Sequence, residues 1–126
     1  MENLDIQVAA CLTAEADAVP DRVSMEWASG AIENYIVLMY EIGSACKDYI
    51  YSARSGDIEI IRARAANSIV ELSDVVCQAL LAFSKIKLLT NSLKDMTVGE
   101  FILDGLERQQ YRMSEIKAKK INYKGE

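Results

Sequence analysis

Apolar residues recur along this chain in steps of three and four. From Ala28 onward, Ala31, Ile32, Tyr35, Leu38, Met39, Ile42, Cys46 and Tyr49 keep that spacing, which is the period of a helix with a face turned to a core. Four segments follow from the pattern. The first covers about Glu2 to Ala18 and stops at Pro20-Asp21. The second runs from about Ser24, a residue suited to the N-cap, to Ala53. Ser55-Gly56-Asp57 then makes a turn, with Gly56 suited to the left-handed position after a helix and Asp57 to the cap of the next. The third segment covers about Ile58 to Leu89 and is closed by Thr90-Asn91-Ser92. The fourth opens with Thr97-Val98-Gly99-Glu100, the spacing of a capping box, and runs to about Lys120. One proline in the whole chain, and short connections between long helices, predict a single all-α domain of antiparallel, four-helix-bundle type. A basic tail at 117–126, with Lys117, Lys119, Lys120 and Lys124, is expected to fray.

The third segment departs from a simple amphipathic pattern. From Ile69 to Phe83 it is apolar on nearly every side, as expected of a buried helix. Asn67, Glu71, Asp74 and Gln78 interrupt it in steps of four, three and four, and so lie on one narrow stripe. On the second segment Asn34, Glu41, Ser44 and Asp48 also share a face. If the two helices pack antiparallel, Glu41 approaches Glu71 and Asp74. Neighbouring carboxylates repel, and the repulsion is removed by protonation, by a cationic side chain or by a hard cation such as Mg²⁺. The alternative is a solvated stripe, or one met by Lys47, Arg62 or Arg64. Apolar surface on more than one face also predicts self-association, with Tyr35, Met39, Tyr49, Tyr51, Leu81 and Phe83 as interface or core residues.

Composition narrows the chemistry. The 126 residues include no histidine, which removes Ser-His-Asp and Cys-His catalysis, His-ligated zinc and a Glu-x-x-His di-iron centre. Three widely spaced cysteines, Cys11, Cys46 and Cys77, stand among apolar neighbours and read as small core residues in a reducing compartment. Fourteen basic against nineteen acidic residues leave a net charge of −5, which disfavours general nucleic-acid binding. The N-terminal residues lack a basic signal-peptide region, and no uncharged stretch approaches the roughly 18 apolar residues of a membrane span. A cytoplasmic location and no membrane partner are expected.

The segments Leu38-Met39-Tyr40-Glu41-Ile42-Gly43-Ser44-Ala45 and Val70-Glu71-Leu72-Ser73-Asp74-Val75-Val76 resemble the MazG-type all-α nucleoside triphosphate pyrophosphohydrolases. That family carries Glu-Glu-x-Gly-Glu on one helix and Glu-x-x-Asp on the next. The resemblance extends from about Trp27 to Arg112. It includes Thr97-Val98-Gly99-Glu100-Phe101 and Leu106-Glu107-Arg108-Gln109-Gln110-Tyr111-Arg112. It implies a homodimer or homotetramer that converts a nucleoside triphosphate to the monophosphate and pyrophosphate. Mg²⁺, or Mn²⁺, would be held by Glu41, Glu71 and Asp74, and Arg108 and Arg112 would meet phosphate. Two positions depart from the pattern. Ser44 stands where a fourth acid is usual, with Asp48 one turn further on as a replacement, and Tyr40 stands where a glutamate precedes Glu41. These departures keep open a helical nucleotide-binding or assembly protein with the same fold and little turnover. Phosphoribosyl-ATP pyrophosphohydrolase is a related reading with a fuller acidic motif. A small helical protein outside the family, with Glu71 and Asp74 on its surface, is a third.

Overall fold

The computed structural model describes residues 2–19 and 28–125, and side chains at 3–19 and 31–119. The expected break at Pro20-Asp21 and the expected cap at Ser24 lie outside the described residues. Every regular element among them is helical: α1 (Glu2–Ala18), α2 (Ala28–Arg54), α3 (Ile58–Ile86) with a 3₁₀ turn at Lys87–Leu89, and α4 (Val98–Gly125). The last helix continues through the basic tail that was expected to fray.

The punctuation between helices follows side-chain chemistry. Gly56 has φ of +69°, a conformation that costs an L-residue about 1–2 kcal/mol and glycine little. Asp57 then caps α3, its carboxylate accepting the Glu59 amide at 2.9 Å. These two residues fold α3 back along α2 in an antiparallel hairpin. At the far end Thr90 Oγ1 accepts from the Leu93 amide at 3.0 Å, and the Lys87 ammonium donates to the Met96 carbonyl at 2.9 Å. The N-terminus of α4 is capped twice. Thr97 Oγ1 accepts the Glu100 amide at 3.1 Å, and Asp5 of α1 accepts the Val98 amide at 2.8 Å. The second cap places a carboxylate on the positive end of a helix dipole and ties the first helix to the last.

Packing is unequal. The α2–α3 hairpin holds most of the contacts between helices, and α1 lies against α3 and the start of α4. α4 is docked through its opening turns, where Val98 and Gly99 are buried and Phe101 stacks on Phe83 with ring centroids 4.2 Å apart. From Leu106 to Lys119 its side chains are exposed. Among the described residues, the buried apolar side chains are Ala31, Ala45, Leu80, Ala82 and Val98. The apolar run of α3 is therefore not enclosed by its own chain: Ile69, Val70, Leu72 and Val76 are each more than half exposed. The three cysteines, expected in the core, are all exposed free thiols. Ala45, next to Cys46, is buried while Cys46 is exposed, so proximity in sequence to apolar residues was no guide to burial.

The seam of the hairpin is mostly polar or small. Asn34, Ser52 and Ser68 are buried along it beside Ala45, and short side chains let two helix axes approach closely. At one end Asn34, 0% exposed, donates to Gln78 at 3.1 Å and to Glu15 at 3.3 Å, and accepts from Lys85 at 2.6 Å. Lys85 also forms an ion pair with Glu15. Three helices are thus joined by one polar network.

Candidate functional site

The antiparallel pairing that sets Asn34 against Gln78 continues down the hairpin. Two turns further along α2 it brings Glu41, then Asp48, to the side of Glu71 and Asn67 on α3. Asn67 Nδ2 donates to Glu71 Oε1 at 3.0 Å and reaches Asp48 Oδ2 at 3.4 Å. The other oxygen of Glu71, Oε2, is buried and has no hydrogen-bond partner. A buried acceptor without a donor is costly, and either a proton shared with the neighbouring Asp48 carboxylate or a bound cation removes that cost.

The electrostatics agree with that geometry. The Glu71 carboxyl is held above the ordinary range, first because the Asp48 carboxylate lies within hydrogen-bonding reach and favours a shared proton. Desolvation raises it further, repulsion from Asp48 and from Glu41 adds to this, and the Asn67 amide works in the opposite direction. None of the cations considered from sequence pairs with these acids. Arg62 pairs with Glu59 at 3.2 Å, and the Lys47 ammonium lies over the Tyr51 ring at 5.8 Å. Arg64 is exposed.

The structure therefore brings together Asp48 and Glu71 at Asn67, with Glu41 near enough to repel the Glu71 charge. Asp74, placed on the same stripe by its spacing, is exposed, and the acids that act on Glu71 come from α2 instead. Among the described residues, no three acidic or cysteine side chains converge closely enough to hold one metal ion together. Asp48 is the acid within hydrogen-bonding reach of Glu71. Ser44 borders a shallow hollow with Met39, Tyr40, Gly43 and Lys47, and Tyr40 is 74% exposed. Both positions where the sequence departs from the family pattern thus adjoin the same surface hollow.

The basic residues of α4 sit apart from this cluster in the contacts they make. Arg108 pairs with Asp104 and borders an apolar recess of about 380 Å³ that includes Phe83, Phe101, Lys87, Leu93 and Met96. The Lys87 ammonium lies 5.4 Å from the centre of the Phe83 ring. Arg112 is exposed one turn further on. The recess combines two mutually stacked aromatic rings with Lys87 and the Arg108–Asp104 ion pair at its edge.

Sequence reasoning did not anticipate the Glu15–Lys85–Asn34–Gln78 network, because Glu15 and Lys85 are 70 residues apart and nothing in either segment points to the other. Asn34 and Gln78 were visible as members of the two polar stripes. Among the described residues, no helix is long and apolar enough to cross a membrane. Compared with protein-family models, with curated proteins and with solved structures, the chain matches none.

Proposed function

We propose that the acidic seam between α2 and α3 binds a divalent cation, and that the chain is a Mg²⁺-dependent nucleoside triphosphate pyrophosphohydrolase-like protein. The observation that carries this reading is the buried, unpartnered Glu71 Oε2 beside Asp48 and Glu41, with no cationic side chain paired to the three acids among the described residues. Mg²⁺ commonly takes one or two protein carboxylates and completes its shell with water and phosphate oxygens, which suits a site whose closest acids number two. Glu71 and Asp48 would supply the carboxylates. Glu41 would add charge or a water-mediated contact, and Asp74 would face the rim. A cation held there would neutralise a triphosphate and orient a water for attack at the α-phosphorus. Arg108 and Arg112 would meet phosphate, with Arg108 exchanging Asp104 for the substrate. The Phe83–Phe101 recess beside Arg108 supports a nucleotide as the ligand. The reading includes a homodimer or homotetramer.

A second reading has a specific observation behind it. With Ser44 and Tyr40 bordering a surface hollow and no three acids converging, a helical nucleotide-binding or assembly protein with little or no turnover is favoured over a fast enzyme. Thermal unfolding with and without Mg²⁺ or Mn²⁺ tests the cation site. At a hundred times the dissociation constant, a ligand specific to the folded state adds about 2.7 kcal/mol, and Glu71→Gln is expected to abolish that gain. Release of pyrophosphate from a panel of nucleoside triphosphates then separates the two readings. Absence of any cation-dependent stabilisation overturns both the metal site and the hydrolase.

A further inference from the structure

The projecting half of α4 is basic on a chain that is otherwise acidic. Sixteen acidic and eight basic residues precede Gly105, whereas six basic and three acidic residues follow it. From Leu106 to Lys119 its side chains meet solvent, although helices in proteins draw most of their stability from packing an amphipathic face. The face that would pack is present. Leu106, Gln109, Met113 and Ile116 recur in steps of three, four and three, and the three apolar members are between 45% and 57% exposed. They continue from Ile102, half-buried where α4 leaves the body of the protein. This alternation sets one narrow stripe along the helix, the spacing at which one helix seats against another.

The edges of the stripe select what can cover it. Arg112 and Lys119 border it on one side and Lys117 on the other, while Glu107 and Glu115 lie on the outer side of the helix. Among the described residues, every charged side chain bordering the stripe is therefore basic. A second copy of α4 is a poor occupant. In a parallel pair Arg112 would face Lys117, and in an antiparallel pair each edge would meet its own like, and such edge charges decide which helices pair. A lipid surface fits poorly because Gln109 would bury its amide in acyl chains without a partner, whereas a facing helix can supply one. A nucleic acid would extend along the acidic remainder of the chain and be repelled by it. What complements the stripe is an apolar seam with carboxylates along both edges.

We infer that the projecting half of α4 is a docking helix for a different protein, one that presents an acidic-edged amphipathic helix. Leu106, Met113 and Ile116 supply the buried contact, Gln109 fixes the register, and Arg112, Lys117 and Lys119 meet the partner's carboxylates. The inference goes beyond the proposed function and is independent of the cation. Arg108, held by Asp104, takes no part in it, and Arg112, which the proposed function turns toward phosphate, is left out of the test.

The test uses the full chain without Mg²⁺ and two synthetic helical peptides with the same leucine and isoleucine seam. One carries Glu at every edge position and the other Lys, so neither pairs with itself. Fluorescence anisotropy is expected to show the Glu-edged peptide binding at least about tenfold more tightly than the Lys-edged one, with the preference shrinking as salt rises from about 50 to about 500 mM. The double variant Lys117→Glu/Lys119→Glu is expected to reduce that preference at least about tenfold, and Leu106→Glu to weaken binding of both peptides. These side chains are exposed, and far-UV circular dichroism checks that the variants stay helical; should either unfold, the order of the two peptides on the wild-type chain decides alone. Equal binding of the two peptides, or binding of neither, overturns the inference. So does tighter binding to vesicles of one part phosphatidylserine to three parts phosphatidylcholine, or to a DNA duplex, than to the Glu-edged peptide. An oligomer of the free chain that Leu106→Glu takes apart would show a second copy on the stripe and would overturn it as well.

Discussion

The two ends of the α2–α3 seam both join acids to amides and reach opposite electrostatic outcomes. At the Asn34 end, an acid, a lysine and two amides satisfy one another. Both Asn34 amide hydrogens are used, its carbonyl accepts from Lys85, and Glu15 meets the ammonium. At the Glu71 end two acids, Asp48 and Glu71, share a single amide, Asn67, with Glu41 adding repulsion, and one Glu71 oxygen has no donor among the described residues. The helix geometry is common to both ends, so the difference lies in the cation, Lys85, that one end has and the other lacks among the described residues. A satisfied network fixes register and joins helices. A crowded acidic pocket stores repulsion that a ligand or a proton relieves. The comparison gives the first end a structural role and makes the second the place where the proposed cation is tested.

Removing the cation from the partnered end is the most severe way to break that comparison. Lys85→Met leaves Glu15, whose side chain is 8% exposed, as a buried charge beside an Asn34 carbonyl that has lost its donor. Breaking one partner of a buried pair typically costs about 3–5 kcal/mol. Urea denaturation is expected to show a loss of that size. A loss below about 1 kcal/mol, the range of exposed pairs, would mean that the network does not hold the three helices.

The converse change supplies a cation to the end that lacks one. Asn67→Lys places an ammonium where the amide now meets Asp48 and Glu71. The metal-free protein is expected to become more stable, and Mg²⁺ affinity, read from titration calorimetry, to fall by about 10–100-fold, as when a residue supporting a metal's ligands is changed. Unchanged Mg²⁺ affinity would place the cation elsewhere.

A proton tests the same point without mutation. The Glu71 carboxyl is raised by its neighbours, so the folded state holds this proton more tightly than the unfolded chain. Stability is then greatest below the ordinary carboxylate range. The Glu71 contribution falls as pH rises from there through the raised value, where the folded protein must surrender a proton already lost by the unfolded one. In metal-free buffer, Glu71→Gln is expected to flatten that part of the stability–pH curve and to stabilise the protein at neutral pH. A wild-type difference that instead grew with pH across that range would carry the wrong sign for crowded acids.

Much of the fold was legible before the structure. The turn at Ser55-Gly56-Asp57, the cap at Thr97 and the period of the long helices are local, and each is set by residues within a few positions of one another. The polar stripes were legible for the same reason. Their partners were not, because the depth to which a stripe is drawn into an interface depends on where the neighbouring helix crosses it. Lys85 and Glu15 meet across 70 residues, and Asp5 caps a helix 93 residues away. The cysteines illustrate the opposite error. An apolar neighbourhood in sequence implied burial, while α1 leaves Cys11 exposed and the hairpin leaves Cys46 and Cys77 exposed.

Asp74 gives the smallest expected effect and the finest resolution of the comparison. Three residues on a helix advance by about 300°, so Glu71 and Asp74 share a stripe but not a direction. The packing of α2 against α3 brings Glu71 to Asp48 and Asn67 and leaves Asp74 exposed at the rim. Asp74→Asn should therefore change stability by no more than about 0.5 kcal/mol, as for a surface position without buried partners. It should also leave most of the Mg²⁺-dependent stabilisation intact, while Asp48→Asn removes most of it. Parallel melting curves of the two variants, each with and without Mg²⁺, read this directly. If Asp74→Asn instead abolishes the shift and Asp48→Asn spares it, the cation is held by the i, i+3 pair on α3 alone, and the crossing of α2 contributes charge without ligands.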